Sequence, residues 1–141
     1  MTTLILDWRL RSQLEREARA AFPRECCGLL EGVCEADSLR VIALRQTRNV
    51  AVAPDRFEID PAEHFRVLRA ARGNEAKIVG CYHSHPNGDA NPSARDRAGA
   101  SEEGFVWLIA SLTVAGPAKL SAFVWRTNAF EPVAIEQVGA V

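Results

Sequence analysis

No run of this chain approaches the ~20 consecutive apolar residues that cross a bilayer. The opening "MTTLILDWRLRSQLERE" has a short apolar patch followed by charge, and no apolar stretch leads to a small-residue cleavage site. No membrane association is therefore expected, and a cytoplasmic protein is the default. A basic excess is lacking too: Lys+Arg 17 against Asp+Glu 18 leaves a net charge of -1, and the arginines are scattered rather than gathered in a patch. That argues against phosphate-backbone binding, so no nucleic acid is expected as a partner. Cys26, Cys27, Cys34 and Cys81 include no C-x-x-C pair, and adjacent cysteines rarely bridge each other, so all four read as small buried hydrophobes. Repeats, low-complexity segments and linkers are missing as well. What remains, at 141 residues, 48% hydrophobic and 25% charged, reads as one domain, 1–141, able to bury a real core.

In residues 8–22, Leu10, Leu14, Ala18 and Phe22 recur every fourth position, which predicts a helix stopped by Pro23. "CCGLLEGV" and "SLRVIALRQTRNV" read as strands joined by a turn at "CEADS". Asp60 is a plausible N-cap for a second helix that starts with proline in "PAEHFRVLRAAR" and ends at Gly73. "AKIVGCYHSH" predicts a strand, the loop 86–92 follows, and a short helix runs from Ser93 to about Ala100. "FVWLIASL", "KLSAFVWR" and "FEPVAIEQV" complete six strand candidates. The class is α/β or α+β with one mixed sheet, antiparallel toward the end.

The chemistry concentrates in "CYHSHPNGDANPSARD", residues 81–96. On a strand, residues i and i+2 share a face with Cα atoms about 6.6 Å apart, so His83 and His85 project side by side. Two imidazoles at that spacing can converge on one zinc ion. "PNGDANP" must turn sharply, delivering Ser93 and Asp96 to the start of a helix in a capping pattern. Asp96 there would be a third, anionic ligand. His2Asp with an open fourth position is the arrangement of catalytic rather than structural zinc. Asp89, in mid-loop, reads as a solvated turn residue. Cys81 shares the strand parity of the two histidines and reads as a neighbour of the site or as core.

A catalytic zinc still requires a carboxylate outside its ligand shell to move a proton. Glu25 and Glu31 flank "CCGLL" on apolar segments, and the residues alone do not choose between them. Glu58, Glu63, Glu102 and Glu103 lie in polar contexts and read as solvated. A zinc deaminase is excluded, since H-x-E and P-C-x-x-C are both absent.

"HSHPNGDANPSARD", with the upstream glutamate of "PRECCGLLEG", resembles the JAMM metalloprotease signature of MPN-plus (Mov34-like) domains, and residues 10–127 look like its compact bacterial members. The resemblance implies a cytidine-deaminase-like α/β/α sandwich around the mixed sheet. It implies Zn2+ on His83, His85 and Asp96, with zinc-bound water as the nucleophile. Glu25 becomes the general acid/base, Ser93 a hydrogen-bond donor to the oxyanion, and Glu31 a surface or turn residue. Similar compact enzymes act on ubiquitin-like sulfur carriers of the ThiS and MoaD type, which implies a peptidase cutting after a carrier's C-terminal Gly-Gly. A narrow groove and a sheet edge able to pair with an extended tail would suit that substrate. The alternatives are an isopeptidase for ubiquitin-like conjugates and a non-catalytic MPN partner-binding module. "FVWLIASL" and "SAFVWR" could supply a homodimer surface, though core strands are the better account.

Overall fold

The structure, a computed structural model, describes residues 3–139. In chain order the elements are β1 (Thr3–Asp7), α1 (Trp8–Ala21), β2 (Cys27–Glu35), β3 (Ser38–Thr47) and α2 (Pro61–Ala71). Then come β4 (Lys77–His85), α3 (Ala94–Gly99), β5 (Val106–Ser111), β6 (Lys119–Arg126) and β7 (Ala129–Val138). Local chemistry sets the helix ends. The Asp7 side chain caps α1 by accepting from the Arg9 N–H at 2.7 Å, and extended Phe22, ahead of Pro23, ends it. Asp60 caps α2 at the Ala62 N–H, with Pro61 in the first turn. The helices expected at 8–22 and from Pro61 are therefore present, ending one and two residues early.

The mixed α/β class and the single mixed sheet are as expected; the strand count is not. Among the described residues seven strands run in the order β1-β3-β2-β4-β5-β6-β7, and β1 closes the sheet into a barrel by pairing in parallel with both β3 and β7. β1 reaches only Ser38–Arg40 of β3, so among the described residues Val41–Thr47 keep a side with no strand partner. The β5–β6 and β6–β7 pairs are antiparallel, while β4 and β5 run parallel across the α3 connection. Among the described residues no helix is long and apolar enough to cross a membrane.

Alternation along the strands loads both faces. Leu30, Tyr82 and Leu108 join Leu14 and Ala18 of α1 in the main core, while Leu29, Cys81 and Trp107 form a second cluster with Phe57, Ile59 and Val67 of the α2 side. β5 is buried throughout, so its apolar run belongs to the core and offers no dimer surface. Two expectations are corrected. Cys34, near the end of β2, is exposed, unlike the other three cysteines. Glu31 is buried, not a surface or turn residue, because β2 is covered by its neighbours and the Arg45 guanidinium on β3 neutralises the carboxylate at 2.6 Å.

Gly80 is the tightest point of β4. A Cβ there would overlap the Val106 carbonyl of β5, whose residue Val106 is its register partner. Gly80→Ala should therefore destabilise the fold by about 3 kcal/mol or more, read as a lowered denaturant midpoint.

Candidate metal centre

β4 ends in His83-Ser84-His85, and the period of two turns both imidazoles one way and Ser84 the other. The ring of His83 is fully buried and that of His85 nearly so. Their Nε2 atoms stand 3.0 Å apart, and each lies 3.1 Å from Asp96 Oδ2. Asp96 is brought there by α3. Ser93 caps that helix, its Oγ accepting from the Asp96 N–H at 3.0 Å while its own N–H donates to Asp96 Oδ2 at 2.8 Å. The capping box and the carboxylate's place beside the histidines are one device. The three residues expected from the sequence as ligands are thus brought together.

Glu25 arrives from the segment before β2. Its neighbour Cys26 donates its N–H to Ser84 Oγ at 2.8 Å, and Cys27 is the register partner of His83. Ligand atoms of Glu25, His83 and His85 all lie within 4.8 Å of one another. Glu25, His85 and Ser93 line a cleft of about 200 Å³ together with Pro54, Pro86 and Asn87. Glu31, the other flanking carboxylate, lies elsewhere on β2 and is spent on Arg45.

Several contributors had no sequence signal. The Asp89 side chain serves its own loop by accepting from the Asn91 N–H, but its backbone carbonyl lies 2.8 Å from His85 Nδ1 and also accepts from Ser111 Oγ. That contact holds a proton on Nδ1, so Nε2 is the nitrogen that gives up its proton when a metal ion takes its place beside Asp96. Phe57 stacks on His83 with ring centroids 4.4 Å apart. Cys81 packs with Leu29 and Trp107 in the second core cluster, and burial pushes its thiol well above the ordinary value. Burial likewise takes Cys26 to about 12 and Cys27 to about 11, so neither supplies a thiolate.

Burial opposes ionisation of Asp96, but hydrogen bonds to His83, His85 and the Ser93 N–H hold its carboxyl far below the usual range. Burial dominates at His83 and lowers its pKa, keeping a neutral ring. At His85 burial is outweighed by the bonds to Asp96 and the Asp89 carbonyl, and the pKa rises. Burial carries Glu25 up to about 7, with the His85 charge acting against it and Asp96 adding to it; Glu25 Oε1 has no hydrogen-bond partner.

Two imidazole nitrogens and a carboxylate oxygen converging within 3.1 Å suit a zinc ion, whose tetrahedral ligand atoms at about 2.0–2.1 Å stand about 3.3–3.4 Å apart. Protons compete for the same nitrogens. Because the His85 pKa is raised, zinc retained after dialysis should fall when the buffer goes from about pH 8 to about pH 5, as elemental analysis would show.

Residues 8–127 match the Prok-JAB family, prokaryotic homologs of the JAB domain. The chain is 37% identical over 114 residues to a desampylase of Haloferax volcanii, covering 80% of this chain and 78% of that one. It is 38% identical over 87 residues to a probable TtuB-protein conjugate cleaving protease of Thermus thermophilus, covering 61% and 53%. A solution structure of a Desulfitobacterium hafniense protein superposes with a TM-score of 0.86 at 28% identity, covering 98% of this chain and 94% of that one. A JAB1/MPN domain protein of Archaeoglobus fulgidus shares the fold with a TM-score of 0.64 at 19% identity, over 99% of this chain and all of the other. With its histidine pair, capping aspartate and upstream glutamate in one place, this chain belongs to the prokaryotic JAB-domain family.

Proposed function

We propose that this chain is a zinc-dependent peptidase of the JAMM type that hydrolyses the amide bond after the C-terminal Gly-Gly of a ubiquitin-like sulfur carrier of the ThiS and MoaD type. The observation that carries this reading is the convergence of His83, His85 and Asp96 beside a buried Glu25 oxygen that has no structural task. A non-catalytic partner-binding module has no use for such a carboxylate, whose burial costs stability. The relatives' names support a ubiquitin-like substrate, and they favour a second form of it, in which the carrier is joined to another protein and the enzyme acts as an isopeptidase. The same reading takes residues 1–141 as a single cytoplasmic domain with cytidine-deaminase-like layering, since α1 and α2 serve different core clusters.

His83, His85 and Asp96 would hold the ion. Zinc bound there supplies Lewis-acid chemistry, acidifying water and polarising a carbonyl. Glu25, at about 7, is close to half-protonated at neutral pH, so it can take a proton from the attacking water and return it to the leaving amine. Ser93 Oγ accepts from the Asp96 N–H, which leaves its own O–H free to donate to the oxyanion in the cleft.

Ser93→Ala should lower kcat by about 10²–10³ while zinc content holds, and cost about 1 kcal/mol through the lost cap. Steady-state rates and thermal melts separate the two effects. The test of the function is cleavage of a linear Gly-Gly-extended carrier and of an isopeptide-linked conjugate, each with and without added zinc. Cutting of either supports the reading and tells the two forms apart. If neither is cut with zinc present, the peptidase reading fails.

A further inference from the structure

His83 and His85 meet Asp96 through equivalent Nε2 atoms, yet they are held differently. His85 is anchored at Nδ1 by the Asp89 carbonyl. His83 Nδ1 is buried with no hydrogen-bond partner, although a ligating imidazole ordinarily has its second nitrogen bonded. Aromatic rings surround it instead. Phe57 stacks on the imidazole at 4.4 Å and 25°, and Trp107 meets it edge-on at 5.8 Å and 90°.

Phe57 is itself fixed in place. Its segment is latched by Asn49, whose amide uses its full bonding capacity. Nδ2 donates to the Glu25 and Arg56 carbonyls, and Oδ1 accepts from the Ala51 and Glu58 N–H groups. A β-bridge between Asn49 and Ile59 closes the loop. The segment is therefore tied to the backbone of Glu25 at one end and laid on His83 at the other. Phe57 also borders a cavity of about 370 Å³, so truncating its ring enlarges open space beside His83.

We propose that Phe57 is the positioning residue for His83, its stacked ring doing for that imidazole what the Asp89 carbonyl does for His85. The inference rests on His83 being a metal ligand, as the proposed function has it. An unpinned ring must be ordered by the metal at binding, which lowers affinity even when every ligand is present.

The test is zinc affinity by chelator competition on the full chain, starting metal-free, for the parent, Phe57→Leu, Phe57→Tyr and the control Phe65→Leu, an exposed position on α2. F57L should bind about 10–100-fold more weakly, while F57Y and F65L stay within about threefold of the parent. Parent-like affinity in F57L, or an equal loss in F57Y, overturns the proposal. Melting of the metal-free proteins tells affinity from folding, and if F57L does not fold, Phe57→Met is judged by the same two outcomes. A parent that binds no zinc strikes instead at the reading of the site itself, so the two failures are distinguishable.

Discussion

Asp96→Ala is expected to strip the metal from this chain and to lower hydrolysis by at least about 10³-fold, because several kcal/mol of transition-state stabilisation leave with the ion. Asp96 is the single anion between two imidazoles, and its Oδ2 takes both Nε2 contacts and the Ser93 N–H. Its removal takes away a ligand, the charge that favours a cation, and half of the capping box. The metal-free variant should also melt below the metal-free parent, since buried imidazole nitrogens lose their partner. Asp96→Asn separates shape from charge: it keeps the size and loses the anion, so it should also fail to hold zinc. Elemental analysis of the three proteins purified identically is the check. Parent-like zinc in D96A would remove Asp96 from the site.

The second large effect has two faces. Glu25→Gln should reduce kcat by about 10²–10⁴ while zinc content stays at the parent level, since a proton carrier is lost and no ligand is. The same substitution should raise the stability of the metal-free protein above neutral pH. The Glu25 carboxyl is raised from 4.5 to about 7 by burial, so the folded state holds its proton more tightly than the unfolded chain does. The contribution of Glu25 to stability is accordingly most favourable below 4.5, falls as pH rises through the window to about 7, and carries the full cost of the buried charge above it. E25Q should melt a few degrees higher than the parent near pH 8 and equally near pH 4. An activity loss with no change in this pH dependence would mean that Glu25 is ionised without cost, and the buried-carboxylate account would fail.

Much of this was legible in the sequence, for reasons that differ by residue. His83, His85, Ser93 and Asp96 lie within one short stretch, and each position follows from a local rule: strand parity for the histidines, a capping pattern for the other two. Glu25 is far away in sequence and comes to the site only through β2–β4 pairing, so its selection over Glu31 needed the family resemblance. Asp89 acts through a backbone carbonyl, which any residue carries, and Phe57 lies in a loop where no period speaks. The helices were readable because Leu10, Leu14, Ala18 and Phe22 recur on one face before Pro23, and because Asp60 and Pro61 mark the second start; Asp7 as the first cap was not read. β1 was not: a five-residue strand with three apolar residues means nothing until distant strands accept it.

That strand sets a condition on how the chain can fold. Thr3–Asp7 pairs with Ala134–Val138, so the ring of strands cannot close until residues 134–138 have been synthesised. Contacts of that sequence separation raise the loop-closure cost and slow folding. During synthesis the β2–β3 hairpin can form early and offer β1 the short edge at Ser38–Arg40, but the other side of β1 must wait for β7.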